Sequence, residues 1–122
     1  MRRARLATLT TTLLMLGAPL LVPSASNAAT ALPCRAHMSD SAPSQYTYDK
    51  VIVRTARRAF VVATAHYKTS TTSHHRRANL RGKAKIPFYI SGATPGYRVH
   101  VTVTVHKHHH SNTCYTSFVP HR

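Results

Sequence analysis

The chain has 122 residues with 17 Lys or Arg, ten His and two Asp or Glu, so its formal net charge is +15. Because Asp40 and Asp49 are the only acidic residues, the sequence argues strongly against enzymes that use paired carboxylates and against calcium or magnesium sites. It contains no nucleophile elbow, P-loop or zinc-protease motif, so we expect neither an enzyme nor a cofactor. Histidines and lysines could still act on RNA as acid, base and phosphate clamp, but nothing in the sequence positions such a trio.

Residues 1–28 have the three-part layout of a secretory signal peptide. Three arginines within the first five residues precede an uncharged, largely apolar run over residues 6–22, and small residues follow. We expect cleavage after Ala28, with Ala31 as the alternative, and a secreted, extracellular product. An uncleaved membrane anchor is the other interpretation, because 17 residues approach the roughly 20 that span a bilayer. We expect no transmembrane segment in the mature chain, residues 29–122.

Removal of the signal peptide leaves 94 residues, enough for a single domain over residues 29–122. The net charge falls from +15 to +12 because three cations are removed, while all ten histidines remain. This charge exceeds the roughly 2 to 8 that keeps a small domain soluble, and it predicts an anionic partner such as cell wall, polysaccharide, nucleic acid or lipid head groups. The alternative is a set of dispersed, solvated charges without a partner.

Cys34 and Cys114 are the only two cysteines. Outside the cell such a pair most simply forms one disulfide, and two free thiols are the alternative. A bridge that closes a loop of about 80 residues stabilises a fold by roughly 4 to 5 kcal/mol, comparable to the whole stability of a small domain. Bridged cysteines leave no thiolate for catalysis.

The first half of the mature chain contains three candidate strands. Residues 34–38 form a short one, which a polar turn around Pro43 follows. Residues 46–55 are rich in aromatic and β-branched side chains, and residues 59–68 place alternate apolar residues on one face. Residues 69–79 contain no large apolar side chain, which predicts a loop or a short edge strand.

The next segment alternates more strictly. In residues 83–90 the apolar side chains face one way and Pro87 faces the other, as expected for an edge strand or an outward position. Pro95 and Gly96 suit the second and third positions of a type II turn, because proline presets φ and glycine accepts a positive φ.

The last part of the chain contains the clearest strand, residues 97–106, in which Tyr97 and four valines are predicted to point inward. A turn over residues 107–112 then leads to a final strand over residues 114–119. No helix is indicated after the signal peptide. Six or seven short strands in one small domain predict an antiparallel β-sandwich.

A glycine-led strand of the form G-x-A-x-I-x-F-x-I, followed by T-P-G-Y and V-x-V-x-V, spans residues 82–105. This stretch resembles the later strands of bacterial immunoglobulin-like domains, and the chain is similar to small secreted actinobacterial proteins with a signal peptide and one such domain. The resemblance implies an all-β, antiparallel immunoglobulin-like β-sandwich of six or seven strands, and it specifies no ligand. The chain lacks tryptophan, and its disulfide would join the first and last strands, unlike that of immunoglobulins proper.

In an immunoglobulin-like topology the loops after the second, fourth and sixth strands gather at one end. If residues 69–79 supply the fourth strand, these loops carry most of the clustered cations. The sequence therefore predicts a non-catalytic domain that binds an anionic surface or polymer through one cationic end. The predicted polyanion-binding residues are Arg57, Arg58, Arg76, Arg77, Arg81, Lys107, His108, His109 and His110.

The histidine cluster supports an alternative function, extracellular binding of zinc, copper or nickel. His106, His108 and His110 would lie on one side of an extended segment and are the predicted metal ligands. The cluster has no cysteine or carboxylate partner and no established ligand spacing. The two hypotheses predict opposite effects of acidification on binding, because protonation of imidazole strengthens anion binding and prevents metal ligation.

Sequence-specific nucleic-acid recognition is not expected, because no zinc-finger, helix-turn-helix or RNP pattern is present. The outward aromatic residues Tyr89 and Tyr115 are too few for a platform on which bases stack. Any binding of nucleic acid is therefore expected to depend on charge.

Overall fold

The computed structural model describes residues 31–122 and Gly17. Apart from Gly17, the predicted signal peptide over residues 1–28 lies outside the described residues. Residues 31–122 form seven strands and no helix, so no helix in this part of the chain is long and apolar enough to cross a membrane. The strands are β1 (Arg35–Met38), β2 (Tyr48–Arg54), β3 (Phe60–His66), β4 (Thr71–Arg77), β5 (Lys83–Tyr89), β6 (Val99–Lys107) and β7 (His110–Phe118).

The strands form two antiparallel sheets, with the orders β1-β2-β5 and β4-β3-β6-β7. The inner faces of the sheets share one apolar core. Short connections join most consecutive strands, and the longest ones lead from β1 to β2 and from β5 to β6. This architecture confirms the predicted all-β, antiparallel sandwich of six or seven strands.

Apolar residues alternate with more exposed residues along the strands, and the apolar ones form the core. The four valines of β6 that were predicted to point inward are all buried, and the residues between them lie at the surface or half-buried. In β5 the fully buried Ile86 and Phe88 flank the exposed Pro87. Each large apolar side chain buried in this way contributes roughly 1.5 to 3 kcal/mol.

The strand boundaries differ from the sequence-based expectation by up to four residues. Tyr97 is exposed because it still belongs to the turn before β6, where its N–H donates to Thr94 O at 3.2 Å and Gly96 has a φ of 79°. For residues 69–79 the structure confirms the edge strand, one of the two expectations, because β4 lies at the edge of its sheet and pairs with β3 along all seven of its residues. Strand β7 begins at His110, four residues before the predicted start at Cys114.

The disulfide between Cys34 and Cys114 is present as predicted, with Cα atoms 5.6 Å apart. Cys34 directly precedes β1 and Cys114 lies in β7, so the bridge joins the edge strands of the two sheets. On the same side, the Asn112 amide donates to Leu32 O at 2.7 Å. On the other side β4 and β5 approach each other without a covalent link, and we call this the open side.

Candidate polyanion-binding site

The connections that follow β2, β4 and β6 meet at one end of the sandwich, as the sequence predicted. Two cationic side chains hold them together, because Lys107 Nζ donates to Arg57 O at 2.9 Å and Arg77 Nη1 donates to Arg58 O at 3.0 Å. We call this end the cationic pole. Its basic residues are Arg57, Arg58, Arg77, Arg81, Lys107, His108, His109 and His110.

A tight turn presents the two arginines between β2 and β3. Ala59 N–H donates to Ala56 O at 3.1 Å, which closes the turn, and Ala59 is fully buried beneath it. Arg57 and Arg58 are exposed, and Arg58 adopts a left-handed conformation with a φ of 58°. The buried alanine therefore anchors a turn whose guanidinium groups face solvent.

Asn79 organises the connection between β4 and β5. Its side-chain Oδ1 accepts hydrogen bonds from the N–H groups of Arg81 and Lys83, both at 2.9 Å. Gly82 has a φ of 74°, and a Cβ atom at this position would collide with the carbonyl oxygen of Thr55. The connection thus requires glycine and leaves Arg81 exposed.

The β6–β7 hairpin is tighter than predicted. Lys107 pairs with His110, so only His108 and His109 form the turn, and the expected turn over residues 107–112 is wrong. In a hairpin, directly opposite residues point to the same face of the sheet and successive residues point to opposite faces. His106 pairs with Ser111 and therefore shares its face, so the next residue back, His110, points to the other face.

This geometry bears on the predicted metal ligands. His106, His108 and His110 do not lie on one side of an extended segment, because the chain reverses at His108. Across residues 31–122, no three His, Cys, Asp or Glu side chains are grouped as a metal site. Metal capture by these histidines stays a prediction that needs a different conformation of the hairpin.

Arg76 is the one predicted polyanion-binding residue that does not lie at the cationic pole. It belongs to β4 opposite Val61, and it points away from Arg77 because side chains alternate along a strand. Its Nη1 donates to Lys85 O at 2.8 Å, across the open side. Arg76 therefore faces the boundary between β4 and β5.

The sequence analysis missed a second basic surface, the outer face of the three-stranded sheet. Arg35, Arg54 and Lys83 lie directly opposite one another on β1, β2 and β5. Like charges at such positions repel, so an anion bound among them would stabilise the row. We call this surface the basic face. Its cationic or titratable residues are Arg35, His37, Lys50, Arg54, Lys83 and Lys85.

The basic face borders the cationic pole. Thr55, which follows Arg54, donates its N–H to the carbonyl oxygen of Gly82, which precedes Lys83, at 2.7 Å. Cation spacing in the sequence could have indicated this face, because Lys83 and Lys85 alternate with buried residues. Strand register, which places β1 and β5 beside β2, is not visible in that pattern.

Both acidic side chains lie at the other end of the sandwich. Asp49 is buried, and its Oδ1 accepts hydrogen bonds from Asp40 N–H at 3.0 Å and Lys50 N–H at 2.8 Å. Burial raises the pKa of the Asp49 carboxyl above its ordinary value, and these two hydrogen bonds oppose the rise. Asp40 is exposed in the loop after β1. Neither carboxylate therefore neutralises the cationic pole.

Comparisons with known proteins bear on the fold. No family model matches the chain, and no curated protein sequence matches it. The chain is similar to a solved structure that gives insight into host cell surface retention of a 1.5-MDa bacterial ice-binding adhesin, with a TM-score of 0.56 and 15% identity. The match covers 76% of this chain and 33% of the adhesin chain, so this protein spans about a third of that structure's length. The protein thus has a β-rich fold with a structural neighbour in a bacterial adhesin.

Proposed function

We propose that this protein is a secreted, non-catalytic, immunoglobulin-like domain that binds an anionic surface or polymer through the cationic pole. The observation that carries the proposal is the segregation of charge. Three connections and the strand ends beside them bring eight basic residues to one end, while both acidic side chains of the sequence lie at the other. Such a field attracts polyanions over distances of about a Debye length, roughly 8 to 10 Å at ordinary ionic strength.

The strand order supports the immunoglobulin-like assignment. Strands β1, β2 and β5 form one sheet, and β3, β6 and β7 form the centre and edge of the other. The fourth strand pairs with the third, the position that the added strand of variable-type domains takes. The resemblance of residues 82–105 to bacterial immunoglobulin-like domains agrees with this order.

Secretion is supported by two features of different kinds. Residues 1–28 read as a signal peptide, and Cys34 and Cys114 form a disulfide, which is typical of proteins outside the reducing cytosol. The resemblance to secreted actinobacterial proteins and the retention of the adhesin at a cell surface agree with a role at the cell exterior. An anionic wall polymer or lipid surface would lie within reach of such a protein.

Charge reversal at the pole tests the proposal. The double variant Arg57→Glu and Arg58→Glu changes the net charge by the same amount as the control Lys68→Glu and Arg122→Glu, whose residues are exposed near the opposite end. We expect affinity for polyphosphate and for vesicles of anionic lipid to fall at least about tenfold in the pole variant and less than about threefold in the control.

Salt and pH complete the test. Wild-type binding should weaken steeply with added salt, and it should strengthen on acidification because protonation of imidazole adds positive charge. Equal losses in both double variants, or binding that salt does not affect, would contradict the proposal. Zinc, copper or nickel binding that weakens on acidification and is lost when His108, His109 and His110 become alanine would favour the metal-binding alternative.

A further inference from the structure

The open side of the sandwich contains a groove that the cationic pole does not explain. It lies between the edges of β4 and β5 and has a volume of about 420 Å³. Tyr48, Tyr89 and Pro87 line it from the three-stranded sheet, and His74 and Arg76 line it from the other. The groove therefore combines aromatic and cationic side chains at one place.

Tyr48 and Tyr89 form an aromatic pair at this groove. They lie directly opposite each other on β2 and β5, and their ring centroids are 5.0 Å apart. Tyr48 is 73% exposed and Tyr89 is 48% exposed, so the pair contributes little to the core and leaves much of both side chains open to solvent. The sequence analysis counted only Tyr89 and Tyr115 as outward aromatic residues and did not include Tyr48. Strand pairing places Tyr48 beside Tyr89, so two aromatic rings lie together at the groove.

Cationic side chains lie at the groove and along the sheet face that carries the aromatic pair. The hydrogen bond from Arg76 Nη1 to Lys85 O, 2.8 Å long, holds a guanidinium group across the groove. Lys85 lies four residues before Tyr89 on the same face of β5, and Lys50 lies two residues after Tyr48 on β2. Both lysines belong to the basic face, which contains no carboxylate.

The basic face links the groove to the cationic pole. From Tyr48 to Arg54 the strand β2 rises by about 20 Å, at roughly 3.4 Å per residue. The charges along this track end in the row of Arg54 and Lys83 beside the pole. A linear polyanion of several repeating units fits this length, whereas a single small anion would occupy only part of it.

We propose that the groove and the basic face bind single-stranded nucleic acid without sequence preference. One or two bases stack on Tyr48 and Tyr89, and the phosphates follow Lys85 and Arg54 toward the pole. The pairing of aromatic faces with a cationic track is the arrangement that single-strand binding uses, and base stacking has no counterpart in a polymer that lacks aromatic rings. The inference rests on the proposed polyanion binding and names one polyanion.

Two matched probes separate stacking from charge. One is a fluorescent oligothymidylate of about 12 nucleotides, and the other is an abasic deoxyribose-phosphate oligomer of the same length. Tyr48→Ala is compared with Tyr115→Ala, since these tyrosines are 73% and 72% exposed but Tyr115 lies on the other sheet. Fluorescence anisotropy at fixed salt measures the affinities, and thermal unfolding checks the fold of each variant.

We expect wild-type protein to bind the oligothymidylate at least about fivefold more tightly than the abasic probe. Tyr48→Ala should remove most of this difference and leave abasic affinity within about twofold of wild type, while Tyr115→Ala changes neither. Tyr48→Phe should retain the preference, because stacking needs the ring and not the hydroxyl. Quenching of tyrosine emission by the oligothymidylate, diminished in Tyr48→Ala, gives an independent signature of stacking.

The outcomes distinguish this inference from the proposed function. Equal affinity for both probes, or equal losses in Tyr48→Ala and Tyr115→Ala, overturns the nucleic-acid inference while charge-driven binding at the pole stands. Tyr48-dependent binding of an acidic polysaccharide in preference to the oligothymidylate also overturns it. Failure of wild-type protein to bind polyphosphate, anionic vesicles or either probe overturns both proposals.

Discussion

At the cationic pole, positively charged side chains donate hydrogen bonds to backbone carbonyl oxygens, whereas at the opposite end a buried carboxylate accepts hydrogen bonds from backbone N–H groups. Lys107 and Arg77 place hydrogen bonds on carbonyl oxygens of the neighbouring connection. At the other end, the buried Asp49 carboxylate accepts from the N–H groups of Asp40 and Lys50. Each end thus uses charge to hold loops, but with donor and acceptor exchanged.

The difference decides which charge is open to a partner. An ammonium group has three donors and a guanidinium group five, so Lys107 and Arg77 keep most of their hydrogen-bonding capacity after these contacts. Asp49 is buried and lies beneath its own loop, so its charge acts within the fold. One end is therefore suited to binding and the other to local stability.

The largest expected effect concerns the disulfide, which joins the two sheets and belongs to neither end in particular. Replacing Cys34 and Cys114 by serine should lower the free energy of unfolding by roughly 2 to 5 kcal/mol, because the bridge closes a loop with a sequence separation of 80. Urea unfolding of both proteins measures the loss, and a reducing agent should affect only wild type. A loss below about 1 kcal/mol would show that the other contacts of β1 already hold the two sheets together.

The next largest effects are expected from replacing a glycine at each end, and the losses in unfolding free energy should differ between the two ends. Gly82 at the cationic pole and Gly96 at the other end both have a positive φ, 74° and 79°. Gly82→Ala adds a collision with the backbone of Thr55, so we expect a loss of roughly 3 kcal/mol or more in unfolding free energy. Gly96→Ala meets no atom within 4 Å, so only the cost of its backbone conformation, about 1 to 2 kcal/mol, is expected. Equal losses would contradict the close packing of the pole.

Asp49, at the end opposite the cationic pole, should make the free energy of unfolding depend on pH. Burial raises its folded-state pKa above the ordinary value of 3.8, so the folded protein holds this proton more tightly than the unfolded chain. Its contribution therefore lowers the free energy of unfolding as pH rises from about 4 through the folded-state pKa, by at most about 1.4 kcal/mol per pH unit. The difference between wild type and Asp49→Asn, measured from pH 3 to pH 7, should show this fall. A difference that grows in favour of wild type over the same range would reverse the assigned direction.

The smallest expected effects come from single surface cations. Lys107→Met removes the hydrogen bond to Arg57 O, and Arg98→Met removes a comparable one to Ser117 Oγ, 3.0 Å long, near the opposite end. Both variants should lose about 0.5 to 1 kcal/mol in unfolding free energy. Only Lys107→Met should also weaken polyphosphate binding, by about two- to threefold. Equal binding losses would mean that total charge, rather than the pole, governs affinity.

Much of the fold could be predicted because its strands alternate. The valines of β6 and the apolar residues of β5 indicated both the strands and their buried faces, and the cysteine count indicated the disulfide. Strand β4 was harder to predict because it has no large apolar residue, and backbone pairing with β3 alone defines it. The predicted inward position of Tyr97 failed because the turn continues past Gly96 before the strand begins.

The candidate site could be predicted only in part, because strand pairing and chain reversals decide which of its residues lie together. Clusters of arginine in connecting segments are visible in the sequence, and the topology of a β-sandwich brings those segments together. The sequence did not show that His106 and His110 point to opposite faces of the sheet, because this depends on a turn of only two residues. The pairing of Tyr48 with Tyr89 was not visible either, because the two residues are far apart along the chain.

The sequence by itself determined which residues alternate between core and surface, which cysteines can bridge, and that positive charge greatly exceeds negative charge. These properties follow from local spacing and from counts. Only the tertiary structure decided which strands become neighbours, because a period of two assigns a residue to a face but not to a cross-strand partner. The row of Arg35, Arg54 and Lys83 and the aromatic pair beside the groove exist only because β2 lies between β1 and β5.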